Sequence, residues 1–147
     1  MLPRIEYSVV ARTSPAELWA AFCDLSRLLN RDLYTEAQWI QGRPWQPGSR
    51  LRYTLEKPIP AEISSVITSV EPPYRVSIIN HSLGITGDQI VTFNQLADGT
   101  TRVTMTVEFV GQSDVLPEPR VVEMIQFLTE DALDSMLLRW KQSLLTG

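Results

Sequence analysis

Few side chains in this sequence can move protons near neutral pH. His81 is the only histidine and Cys23 the only cysteine among 147 residues. His81 lies within RVSIINHSLGITGDQIVTF (75–93), beside Asn80 and seven residues before Asp88. A carboxylate that orients an imidazole is one arrangement that general acid–base catalysis uses. The phenol of Tyr53 could donate to a developing oxyanion. His81, Asp88 and Tyr53 are therefore the catalytic candidates. Each also has a plainer reading. A histidine at a hairpin end is usually solvated, and an aspartate in a strand usually faces water. A core phenol usually bonds to backbone or water.

The same scarcity removes whole classes of chemistry. A His/Cys zinc site needs three or four such ligands. No G-x-S-x-G, P-loop or G-x-G-x-x-G is present. The carboxylates show no clustered spacing, so neither a metal nor a cofactor is expected. Cys23 reads as a small buried apolar residue. Lys and Arg number 13 against 17 Asp and Glu, a net charge of −4, with no basic cluster. Nucleic-acid binding and a polybasic membrane anchor both need concentrated positive charge, so neither is expected. The apolar stretches are too short to span a bilayer. MLPRIEYSVV lacks the pattern of an export signal, which makes the cytoplasm the expected location.

The elements that must position these residues are well punctuated. IEYSVVA (5–11) alternates, with Ile5, Tyr7 and Val9 on one face, and predicts a strand. SPAE (14–17) predicts a helix start. Ser14 caps, Pro15 takes the first helical position, and Glu17 can close a capping box. A second short helix is expected near 25–32. Strands follow over 37–42, 50–56, 61–70, 75–81, 85–96 and 101–110, separated by Pro- and Gly-containing turns. Residues 119–145 contain no Gly and no Pro beyond the first position, and predict a long helix. Val121, Ile125, Leu128, Ala132, Met136 and Trp140 form its apolar stripe. Runs of strands between helices predict one α+β domain over 1–147. About seven antiparallel strands would curve around the terminal helix, with two short helices after the first strand.

SPAELWAAFCDLSRL, WQPGSRLRY and DGTTRVTMTVEF, in this order, resemble the START-like superfamily, also known as Bet v 1-like or SRPBCC. Its members include polyketide cyclases, lipid-transfer START domains, birch-pollen-type allergens and plant abscisic-acid receptors. The resemblance spans essentially the whole chain. It implies the helix-grip fold and a large apolar cavity between the sheet and the C-terminal helix. IPAEIS (59–64) and HSL (81–83) look like the paired loops that close over hormone in the abscisic-acid receptors. No lysine stands in the second or third strand to meet a ligand carboxylate, which argues against hormone binding.

Alternation gives the expected cavity lining. Tyr7, Tyr53, Leu55, Met105, Val107, Phe109, Met136 and Trp140 face inward, with Leu51 and Val103, and Ala132 lies on the helix stripe. Strands 61–70 and 75–81 are apolar on both phases, so their register stays open. One phase would bring Ile79 and His81 into the cavity. Apolar walls with a few polar groups suit a small-molecule pocket. The expected function is binding of a hydrophobic small molecule. The alternatives are a polyketide cyclase or dehydratase, and a co-chaperone-like interaction module. The back of the last helix carries Met124, Phe127, Leu138 and Leu145 diluted by charge, so a monomer or weak homodimer is expected.

Overall fold

The structure, a computed structural model, describes residues 4–24 and 30–146. Seven strands form one antiparallel sheet in the order β1-β7-β6-β5-β4-β3-β2. They are β1 (Arg4–Ala11), β2 (Tyr34–Gln41), β3 (Arg50–Leu55), β4 (Ala61–Glu71), β5 (Arg75–Ser82), β6 (Ile85–Gln95) and β7 (Thr101–Gly111). Helix α1 (Pro15–Cys23) follows β1, and the long helix α2 (Glu118–Thr146) ends the chain. This is the expected α+β helix-grip architecture. Residues 25–29, most of the second expected short helix, lie outside the described residues. The part that is described, 30–32, belongs to a turn in which the Asn30 carbonyl accepts from the amides of Leu33 and Tyr34.

Local chemistry explains the boundaries. Ser14 Oγ caps α1 by accepting from the Glu17 amide at 3.4 Å, and Pro15 opens the first turn. Glu17 does not reach back to complete the expected capping box. Its carboxylate accepts from Thr13 Oγ1 and from the Trp140 indole N–H on α2. The β6–β7 turn is held by Asp98 Oδ1, which accepts from the Thr100 amide at 3.0 Å. Gly99 supplies the φ of +83° needed there.

The sheet buries its concave face. Val103, Met105, Val107 and Phe109 of β7 alternate inward and are all buried, as are Val91 and Phe93 of β6. Opposite residues in paired strands share a face, so the register carries this phase across the sheet. Val91 pairs with Val76 and Gln89 with Ile78, which turns Val76, Ile78 and Asn80 inward. Ile67 pairs with Ile78 and Ser65 with Asn80, which extends the same face to β4. Trp19, Phe22, Trp45 and Phe93 form an aromatic cluster between α1 and the sheet, with ring centroids 5.2–5.8 Å apart. Among the described residues no helix is long and apolar enough to cross a membrane.

Candidate ligand-binding cavity

Helix α2 packs chiefly against β1, α1 and β7. Its C-terminal half supplies the core residues Leu133 and Met136, both fully buried. Over β3–β6 it stands away from the sheet and leaves a cavity of about 180 Å³. One ordered water needs only ~10–15 Å³ of such space. The helical wall is Val121, Met124, Ile125, Leu128, Thr129, Asp131 and Ala132. The sheet wall includes Tyr53, Leu55, Ile63, Ile78, Asn80, Gly87, Gln89, Met105 and Val107, and Phe22 and Tyr34 also line the space.

A row of polar side chains crosses this apolar floor. Ser65 Oγ donates to Asn80 Oδ1, and Asn80 Nδ2 donates to Gln89 Oε1 at 2.8 Å. Gln89 Nε2 then donates to the Met105 thioether at 3.2 Å. The direction of the row is fixed chemically. A thioether only accepts, so Gln89 must turn its NH₂ group to Met105 and its oxygen to Asn80. Asn80 must then present its own NH₂ group, which leaves its oxygen for the Ser65 hydroxyl.

A second polar group lies at β2 and β3. The Tyr34 and Tyr53 rings are 5.8 Å apart and tilted by 51°. Neither hydroxyl has a hydrogen-bond partner among the described residues. Burial pushes both phenols well above their ordinary pKa. The Asp131 carboxylate adds to this at Tyr34, and Tyr34 adds to it at Tyr53. Both are therefore protonated donors across the physiological range. Asp131 itself accepts from Asn30 Nδ2 at 2.9 Å.

Ser82, Leu83, Ile85 and Ser113 complete the lining. Leu83 and Gly84, the two residues between β5 and β6, have φ of +53° and +82°. Positive φ at both positions marks the I′ hairpin turn. The left-handed conformation is an uncommon one for leucine. Gly84 also runs close to the Gln112 carbonyl, which a Cβ at Gly84 would meet at 2.5 Å. The turn is thereby held against the chain leaving β7.

The structure brings Tyr53, Leu55, Met105, Val107 and Ala132 to the cavity and leaves the other expected lining residues elsewhere. Tyr7 has the inward phase but donates to Asp134 Oδ1 on α2 at 2.7 Å. Phe109 and Met136 are filled core, and Trp140 is engaged with Glu17. Ile79 and His81 take the opposite phase from Ile78 and Asn80 and lie on the convex face. His81 is exposed there, its Nδ1 3.0 Å from Thr86 Oγ1. Asp88, paired with Ile79, is exposed on the same face. The candidate His81–Asp88 acid–base pair is therefore not at the cavity, and both residues take the solvated positions of their plainer readings. Among the described residues no group of three or more His, Cys, Asp or Glu side chains could hold a metal.

Alternation does not select Asn80, Tyr34, Ser65 or Gln89 as site residues, although Gln89 shares the phase of Val91 and Phe93. The hairpin would have identified Asn80. A two-residue turn at Leu83–Gly84 pairs Ser82 with Ile85 and hence Asn80 with Gly87. That places Asn80 on the face of Val91 and Phe93.

Solved structures match over nearly the full chain. The crystal structure of Ara h 8.0201 superposes with a TM-score of 0.77 at 12% identity, covering 97% of this chain and 99% of that one. The ZhuI aromatase/cyclase from Streptomyces sp. R1128 gives 0.76 at 13% identity, covering 98% and 96%. A START superfamily protein from Mycobacterium smegmatis gives 0.75 at 14% identity, covering 95% and 97%. The chain has the START/Bet v 1-like fold. No family model and no curated protein matches it in sequence. Identities this low speak for the START/Bet v 1-like fold alone, and function must be argued from the cavity.

Proposed function

We propose that this protein binds a hydrophobic small molecule, such as a lipid or polyketide, between the concave sheet and α2. The observation that carries this is the cavity of about 180 Å³ with predominantly apolar walls and a few convergent polar groups. Tyr53, Leu55, Met105, Val107 and Ala132 are proposed contacts, joined by Tyr34, Ile78, Asn80 and Gln89. Native mass spectrometry of freshly purified protein tests this together with titration of an apolar fluorescent dye. The expected result is a retained apolar ligand, or saturable dye binding that an apolar competitor displaces. Protein that retains nothing and binds no dye would refute it.

A second reading, a polyketide cyclase or dehydratase, draws on one feature. Asp131 lies at the cavity near the protonated Tyr34 phenol, whose ring is 5.8 Å from that of Tyr53, which brings a carboxylate and proton donors to one space. An aromatase/cyclase shares the fold. On this reading Asp131→Asn and Tyr53→Phe each lower turnover of a poly-β-ketone thioester about a hundredfold or more with binding intact. Unchanged turnover in both variants would exclude these roles.

A further inference from the structure

The polar row on the cavity floor ends badly for its own stability. Three good hydrogen-bonding groups are aligned head to tail, and the last donor, Gln89 Nε2, is spent on a thioether. Sulfur in a thioether is a weak acceptor. Asn80, Gln89 and Met105 all line the cavity. A ligand oxygen arriving beside Met105 would therefore replace the poorest bond in the row with an ordinary amide–oxygen bond. Hydrogen bonds in a chain polarise one another, so this terminal donor is stronger than an isolated amide.

The charge of the lining narrows the ligand further. No Lys, Arg or His lines the cavity among the described residues, and Asp131 is its one carboxylate. A carboxylate ligand would be desolvated without a cation and placed near a like charge, which is costly. Two strands away from Asn80, Tyr53 and its neighbour Tyr34 offer further donors. That separation is roughly 10 Å on the usual interstrand spacing.

We infer that the cavity selects uncharged hydrophobes carrying a carbonyl oxygen, such as aromatic ketones, and that this oxygen takes the Gln89 amide from Met105. The inference rests on the cavity being the binding site, as proposed above. The test compares three probes of like shape at mildly acidic pH: para-hydroxybenzophenone, para-benzylphenol, which lacks the ketone, and para-benzoylbenzoate, which is an anion. Affinities are read by displacement of an apolar dye. The parent should bind the ketone about three- to tenfold tighter than para-benzylphenol, as expected for one neutral hydrogen bond. It should bind the anion weakest. Gln89→Leu should erase the ketone preference. Met105→Leu is close to volume-conserving and tolerated in cores. It should widen the preference, because no bond to sulfur is lost on binding. The parent series and Met105→Leu decide the matter even where Gln89→Leu fails to fold. Equal binding of ketone and benzylphenol by the parent, or tightest binding of the anion, overturns the selectivity and leaves the binding proposal standing. Failure of all three to displace a bound dye likewise overturns the selectivity, and a parent that binds no dye at all overturns both.

Discussion

Gly87 offers a direct measurement of whether the space under α2 is usable. It lies within β6, buried, opposite Asn80 on β5 and Phe109 on β7, and it lines the cavity. Its φ is outside the left-handed region. A Cβ there would meet Val107 Cγ1 at 3.6 Å, the Glu108 carbonyl at 3.8 Å and Phe109 Cβ at 3.8 Å, all ordinary contacts. Glycine within a strand costs about 0.5–1 kcal/mol relative to alanine. Gly87→Ala should therefore raise the unfolding free energy by about that amount. Gly87→Leu adds three more carbons pointing toward the cavity. In a filled core such an insertion costs about 1–3 kcal/mol. Where space exists, burial contributes about 0.8 kcal/mol per methylene. Ordering the side chain takes back ~0.5–1 kcal/mol. Gly87→Leu should be at least as stable as the parent, yet bind an apolar dye at least about tenfold more weakly. Urea midpoints with an unchanged m-value report the first quantity, and dye titration the second. A leucine variant destabilised by more than about 1 kcal/mol, beside a stable alanine variant, would show there is no room. A stable leucine variant with full dye binding would show that the dye sits elsewhere.

Met136→Ala, at a fully buried core position outside the cavity, should cost about 2–5 kcal/mol in denaturant unfolding and leave the dye affinity of the folded fraction unchanged. Burial pushes the Cys23 thiol up to about 12, so native protein should react with Ellman's reagent far more slowly than urea-unfolded protein. The Thr13 hydroxyl, and after it the Trp140 indole, holds the Glu17 carboxyl below its ordinary pKa. Its contribution is complete above the unfolded-state pKa and is lost as pH falls through the lower folded value. Melting temperatures of parent and Glu17→Gln should therefore converge in acid, and a constant gap between them would contradict the assignment. The two terminal nitrogens of Arg139 are buried with no hydrogen-bond partner among the described residues, and burial, opposed by the Asp131 and Asp24 carboxylates, lowers the guanidinium to about 10. Arg139→Met, which keeps the packing of the stem, should match or exceed the parent in urea. A loss above about 1 kcal/mol would mean that the charge is productively paired.

Strands β3, β6 and β7 and the long helix were legible because one alternation or one 3.6-residue stripe runs through each. Strands β4 and β5 were expected as strands over 61–70 and 75–81, but which residues face inward was not legible, for two different reasons. In β4 the register shifts between Ile67 and Ser69. Ile63, Ser65 and Ile67 face inward before the shift and Val70 after it, so no single alternation describes the strand. In β5 both phases are apolar at their centres, Val76 and Ile78 on one and Ile79 on the other. Only pairing with β6 decides between them. The decision turned on Leu83–Gly84, a turn without the Asn-Gly or Asp-Gly pair that marks a I′ hairpin in sequence. A phase error of one residue moves a whole side-chain set to the other face. That is why a reading that brings His81 inward leaves Asn80 outside, and the structure has them the other way round.

The helix stripe was read correctly and still could not reveal the cavity. Val121, Ile125, Leu128 and Ala132 belong to the same periodic series as Met136 and Trp140, with the same chemistry at the same spacing. Yet the first four line open space, while Met136 is fully buried in the core and Trp140 bonds to Glu17 on α1. Periodicity records which side of a helix avoids water, not how far the opposite wall stands from it. That distance is set by where α2 finds its support, and it leans on β1, α1 and β7 rather than on β3–β5. Towards the less supported end Ile125, Leu128 and Ala132 are only half-buried and border open space as well as neighbours. Substitutions there and at the supported end should accordingly part company. Ile125→Ala should cost little more than the transfer of the lost carbons, because the space beside it already exists. Leu133→Ala should add the penalty of a new cavity, about 24 cal/mol per Å³ of space that fails to collapse. Equal losses at the two sites would mean that α2 is packed along its whole length and that the space beneath it does not persist in solution.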